Sequence, residues 1–186
     1  IYNNQLHIFG SFRGGPTSGG LLHCARWSGA SWHTLGDGLP HHASVFTTFD
    51  GVLLAAGDRF VSRREAAGWR PMGKAFDVGT VSAMAVVNGV LFAAGDICDL
   101  APGSVLCTAL VHYWNGSTWE PLPGPQPSFH PTFALTSFRG ELIIGGVPDS
   151  YHGTRPTGQG IARWDGHGGG SLGKGGPQGD GVAPPE

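Results

Sequence analysis

The chain reads as an all-β protein made of like units repeated along its length, and three observations predict this. All six tryptophans fall at two positions of one recurring phrase. A second phrase occurs four times, around Asn3-Asn4, Asp50-Gly51, Asn88-Gly89 and Arg139-Gly140. No window sustains a 3.6-residue apolar period, so essentially no helix is expected.

The first phrase is Cys24-Ala25-Arg26-Trp27-Ser28-Gly29-Ala30-Ser31-Trp32-His33-Thr34-Leu35-Gly36, matched by Val111-His112-Tyr113-Trp114-Asn115-Gly116-Ser117-Thr118-Trp119-Glu120-Pro121-Leu122-Pro123. Ile161-Ala162-Arg163-Trp164-Asp165-Gly166 keeps the first tryptophan only. Ala66-Ala67-Gly68-Trp69-Arg70-Pro71-Met72-Gly73 keeps the second. The other phrase runs Phe49-Asp50-Gly51-Val52-Leu53-Leu54-Ala55-Ala56-Gly57. Its copies begin at Tyr2, Val87 and Phe138. From Asn4 to Gly51, Gly89 and Gly140 the steps are 47, 38 and 51 residues, the range of four-stranded propeller blades. The sequence therefore predicts a β-propeller of about four blades of four antiparallel strands. The units span about 1–48, 49–86, 87–137 and 138–173, and a Gly/Pro-rich tail, 174–186, is either disordered or the start of a next blade.

Each element of a unit has a local reason. Strand one is an apolar run such as Val81 to Val87. An Asn-Gly or Asp-Gly turn follows, because a two-residue hairpin needs positive φ angles at both central residues. Strand two runs from Val90 to Gly95. Strand three ends at the first tryptophan, a short Gly-containing turn follows, and strand four runs from the second tryptophan to Leu35, Met72, Leu122 or Leu172. Neither face of such a sheet can be buried alone, so the Leu, Val and Phe positions pack on neighbouring blades. The tryptophans read as structural, each indole N–H finding a partner near the blade rim. Ile1-Tyr2 reads as the tail of a first strand and Gly181-Val182-Ala183 as the start of another, so the chain is expected to be part of a larger propeller. Pro184 and Pro185 cannot donate to a closing ladder.

Composition narrows the function. The net charge is −2 and only 13% of residues are charged, so no basic stripe exists to track nucleic-acid phosphates. No apolar run approaches the 18 or so residues of a membrane span. The 33 glycines are mostly turn positions. No cofactor is expected. The nine histidines show no metal-ligand spacing; His41 and His42 are adjacent, and neighbouring side chains of an extended segment point opposite ways. There is no Gly-x-Ser-x-Gly elbow and no Gly-rich loop opening a helix, so neither hydrolase nor phosphate chemistry is indicated. Cys98 and Cys107 share one loop and either form a disulfide or stay unpaired. Cys24 reads as buried and inert. Asn115-Gly116-Ser117 is a glycosylation sequon, although the hairpin demands the same Asn-Gly.

The phrases Ala-Arg-Trp-Asp-Gly and Trp-x-x-Leu-Gly, followed by Asn-Gly-x-Leu and a closing Gly, resemble a family of Kelch-like propeller repeats. Such repeats occur in large secreted or surface proteins of bacteria and in the ectodomains of fungal cortical landmark proteins. The resemblance covers about residues 1–173. Unit two departs from it with Arg64 at the first Trp position, and unit four with Gly168-Gly169-Gly170 where its second Trp belongs. The wider Kelch group includes a secreted copper oxidase whose site needs a Tyr joined covalently to a Cys. Tyr2, Tyr113 and Tyr151 match no such pattern, and no Ser-x-Asp-x-Gly-x-x-Trp sialidase box is present.

Topology then says where a partner would bind. Turns joining strands one to two and three to four are tight and share one face. The remaining connections are long, varied and on the opposite face, where binding residues concentrate. Arg13, His41, His42, Asp96, Asp99, His130, Asp149, Tyr151, His152 and Arg155 are the candidates there. The expected function is a non-catalytic scaffold for a protein or carbohydrate ligand, outside the cell or at its surface. The alternatives are part of a propeller enzyme completed by other blades, or a cytoplasmic interaction module.

Overall fold

The structure, a computed structural model, describes residues 1–14, 22–97, 111–123, 129–148, 160–164, 166 and 169–171. Among them every regular element is a strand, and these form four antiparallel sheets. The first contains β1 (His7–Arg13), β2 (Leu22–Trp27) and β3 (Trp32–Thr34). The second contains β4 (Ala43–Phe49), β5 (Val52–Gly57), β6 (Val61–Glu65) and β7 (Gly68–Pro71). The third contains β8 (Val81–Val87), β9 (Val90–Gly95), β10 (Val111–Trp114) and β11 (Trp119–Pro121). The fourth contains β12 (Phe129–Phe138), β13 (Glu141–Pro148), β14 (Ile161–Trp164) and β15 (Gly169–Ser171). In each sheet the strands lie in chain order.

The expected four strands per sheet hold for three of the sheets. In the first, β1 matches the second strand of the others. The place of a first strand holds only Tyr2, which bridges Gln5 as Phe49 pairs with Val52. The intervening turns are alike in all four sheets. Asn3 and Asn4 (φ 47° and 55°), Asp50 and Gly51 (50° and 75°), Asn88 and Gly89 (50° and 78°), and Arg139 and Gly140 (52° and 80°) are all left-handed. This is the geometry that two-residue hairpins require.

The sheets stack in series. β1 packs on β4, β4 on β8, and β8 on β12. Three apolar cores lie between successive sheets. Cys24, Leu35 and Leu39 meet Leu53, Ala55 and Trp69. Leu54, Val61 and Met72 meet Met84, Leu91 and Trp119. Phe92, Val111 and Leu122 meet Leu142, Ile144 and Ala162. Burying a side chain of this size contributes roughly 1.5–3 kcal/mol.

Period-two alternation explains why each sheet has two unlike apolar faces. Leu53, Leu91 and Leu142 point back to the preceding sheet and are 2%, 0% and 0% exposed. Leu6, their counterpart in the first sheet, is 48% exposed. Val61 and Val111 point forward and are 4% and 1% exposed, whereas Ile161 at the same place in the fourth sheet is 51% exposed.

The second tryptophans of the second and third sheets tie each of these sheets to the one before it. Trp69 Nε1 donates to the Leu35 carbonyl (2.9 Å) and Trp119 Nε1 to the Met72 carbonyl (2.7 Å). Both rings are buried, whereas Trp27, Trp32, Trp114 and Trp164 are only half-buried. Arg64, at the first-tryptophan position of the second sheet, donates instead to the carbonyls of Glu65 and Gly68. At the second-tryptophan position of the fourth sheet stands Gly169, paired with Trp164 as Trp119 is paired with Trp114.

Candidate partner-binding face

In an antiparallel sheet with strands in chain order, the first and third connections share one end. The second connection, and the link to the next sheet, lie at the other. The first end is closed by compact turns. Asn115 shows why its segment is tight. Its Oδ1 accepts from the amides of Ser117 and Thr118, both at 2.9 Å, and its Nδ2 donates to Thr118 Oγ1 and Glu120 Oε1. The sequon asparagine is exposed, and its amide already serves the turn.

The opposite end is built around the joint between the second and third sheets. Asp58, Arg59 and Phe60 connect β5 to β6, with Arg59 left-handed (φ 58°). The segment 72–80, leading to β8, is stitched onto them. Arg59 donates its amide to Gly79 O (3.0 Å), Phe76 donates to Arg59 O (2.9 Å), and Asp58 bridges Thr80. The Arg59 guanidinium reaches the Asp77 carbonyl (3.4 Å), and Lys74 pairs with the Asp77 carboxylate at 3.1 Å. The Asp96 amide donates to Thr80 O (3.0 Å), which places this candidate beside the same segment. His41 and His42 are exposed on the preceding connection, and the His41 ring lies 6.4 Å from that of Phe60.

The structure therefore sets His41, His42 and Asp96 at one end of the molecule. Arg13 closes β1, and His130 is the second residue of β12. Asp99, Asp149, Tyr151, His152 and Arg155 lie outside the described residues, as do Cys98, Cys107 and the tail 174–186. Arg59, Phe60, Lys74 and Asp77 were not anticipated. A signal for part of this group was present, because Gly57-Asp58 repeats as Gly95-Asp96 at the end of the second phrase.

Chemically this end offers exposed imidazoles, a guanidinium, an ammonium and carboxylates around a half-buried phenyl ring. Such a surface can hydrogen-bond and stack with a polar partner. Among the described residues no group of three His, Cys, Asp or Glu could hold a metal ion. Cys24 is buried, burial pushes its thiol up, and its Sγ lies 3.7 Å from the Leu35 carbonyl.

Asp37, on the same connection as His41, ties the first two sheets together. Its Oδ1 accepts the Trp69 amide at 3.0 Å, and that hydrogen bond holds its carboxyl below the usual range. Arg70, 3.7 Å away, acts in the same direction. A carboxylate whose folded-state value is depressed contributes stability above the unfolded value and loses it as pH falls through the folded one. Asp37→Asn is therefore expected to lower the Tm at neutral pH. The gap from wild type should stay constant down to about pH 5 and narrow towards about pH 3. Paired thermal melts across that range check it, and a gap independent of pH would contradict it.

No protein-family model matches the chain, and no curated protein matches it.

Proposed function

We propose that the four sheets are consecutive blades of a β-propeller, and that the chain is a non-catalytic scaffold binding a protein or glycan through its long-connection end. The serial packing of β1, β4, β8 and β12 carries this reading. It is the arrangement expected when β4, β8 and β12, the first strands of their blades, line a common axis, with β1, a second strand, the innermost of the three strands of the first sheet. The exposed forward face of the fourth sheet, with Phe138 and Ile161 at positions filled by buried Val87 and Val111 one sheet earlier, fits a further blade against it. A rigid series of sheets presenting variable connections at one end is a natural platform for recognition. Location outside the cell follows only from the resemblance to secreted Kelch-like repeats.

The binding reading is tested by a glycan array and a displayed protein library, each probed with the chain and with His41→Ala/His42→Ala/Asp96→Ala. All three side chains are exposed, so the far-UV spectrum and Tm should stay within a degree or two while captured binding falls about tenfold or more. Binding that survives the triple variant unchanged would place recognition elsewhere.

A further inference from the structure

At the tight end the hairpin turns of successive sheets meet, and one meeting differs from the others. Between the first and second sheets the Tyr2 hydroxyl donates to the Gly51 carbonyl at 3.0 Å. Between the third and fourth, Asn88 Nδ2 donates to the Gly140 carbonyl at 2.8 Å. The matching carbonyl of the third sheet is that of Gly89, and Asp50 stands in the second sheet at the place of Asn88. An ionised carboxylate only accepts hydrogen bonds, so Asp50 cannot close this joint as Asn88 closes the next.

A cleft of about 440 Å³ opens there, edged by Asp50, Gly89, Arg63 and Asn115. Its donors are engaged. Arg63 turns Nε and Nη2 to Glu65 Oε1 at 2.8 and 2.7 Å, and the Asn115 amide donates to Thr118 Oγ1 and Glu120 Oε1. Glu65 thus offsets the Arg63 charge and leaves Asp50 to set the sign of the rim. The acceptors stand open: Asp50 and Gly89 are both exposed, and among the described residues no side chain donates to either. Trp114, half-buried and backed by Trp119 at 5.4 Å, forms part of the apolar wall.

We propose that this cleft binds a small primary ammonium carried on an aromatic body. Its N–H groups are shared between the Asp50 carboxylate and the Gly89 carbonyl, and its ring lies against Trp114. Two open acceptors, one of them charged, call for a cationic donor, and a primary ammonium brings three N–H groups to bridge them. A tryptophan wall favours both a cation and a second ring. Benzene fills an apolar cavity of roughly 150 Å³, so about 440 Å³ leaves room for a ring and a two-carbon arm. The cleft lies at the opposite end from the long connections, so either proposal can fail without the other.

The test is a titration of 2-phenylethylammonium into the intact chain, followed through the tryptophan indole N–H resonances. The Trp114 signal, assigned with Trp114→Phe, should move saturably while that of Trp69 stays fixed. 2-Phenylethanol, equal in size but uncharged, should bind about tenfold more weakly, the value of a charge-assisted hydrogen bond. The trimethylated ammonium keeps the charge without an N–H and should lose about as much. Butylammonium, which carries the head on a lysine-like chain, should bind about fivefold more weakly for want of a ring against Trp114. Asp50→Asn copies the arrangement of Asn88, whose φ of 50° it shares, so the turn is kept. It should abolish binding and, by closing on the Gly89 carbonyl, raise the Tm by about 2–4 °C. Absence of a saturable shift, equal affinity for any of the three analogues, undiminished binding in Asp50→Asn, or an unchanged Tm in that variant would overturn the proposal.

Discussion

Trp119→Ala is expected to destabilise the chain by roughly 3–5 kcal/mol, the range for removing a buried aromatic side chain. The indole sits in the core between the second and third sheets, near Phe76 and Trp114 at 5.9 and 5.4 Å. Truncation opens a void there and leaves the Met72 carbonyl without its donor. Trp119→Phe separates the two effects. It keeps most of the ring and loses the N–H, so it should cost about 1–3 kcal/mol, the penalty of an unsatisfied buried group. Trp32 occupies the same place in the first sheet, yet its ring is only half-buried and packs on Trp27 at 5.1 Å. Trp32→Ala should therefore cost clearly less than Trp119→Ala. Urea unfolding of the three variants measures this. Equal losses at Trp32 and Trp119 would show that the neighbouring sheet contributes nothing.

Gly95→Ala is expected to be comparably severe, and Gly145→Ala harmless. A Cβ on Gly95 would lie 2.0 Å from the Thr80 carbonyl oxygen and 2.7 Å from the Ser82 amide. Both are backbone atoms, Thr80 just before β8 and Ser82 within it, at the register shift between Val81 and Ala83. The two strands would have to part, a cost of roughly 3 kcal/mol or more. Gly57 is built alike, with the His42 carbonyl 2.2 Å from its Cβ position. Gly145, by contrast, stands where Ala56 and Ala94 stand in the second and third sheets, and a Cβ there meets only ordinary contacts from 3.6 Å. Removing glycine's extra freedom in the unfolded chain should leave Gly145→Ala neutral or stabilised by about 0.4–1 kcal/mol. Chemical denaturation of the pair decides it.

These two cases also show what could be read in the sequence. The constancy of the glycine that ends the second phrase was visible, but its cause at Gly57 and Gly95 was not, because there the clash comes from the backbone beside a register shift in the partner strand. Likewise the phrase treats both tryptophans alike. Burial separates them only through the adjoining sheet, which no local pattern encodes. Turns such as Asn88-Gly89 were legible because their φ requirement is local. Arg139, left-handed at the same place (φ 52°), follows from the repeat rather than from its own preference. The candidate site was legible as an end of the molecule, and His41, His42 and Asp96 belong to it. Arg59, Lys74 and Asp77 escaped notice because what joins them is backbone pairing between segments some twenty residues apart, such as Arg59 with Gly79.

The serial packing of the sheets bears on how the molecule comes apart. Each sheet is woven from a short stretch of chain and rests only on its neighbours, so its stability behaves as a sum of local terms and adjacent couplings. Among the described residues the second and third sheets have two such couplings each, and the first and fourth have one. Within a run of four such sheets taken by itself, thermal opening is therefore expected to start at the outer two and move inward. Damage at Trp119 strikes the coupling that holds the inner pair together.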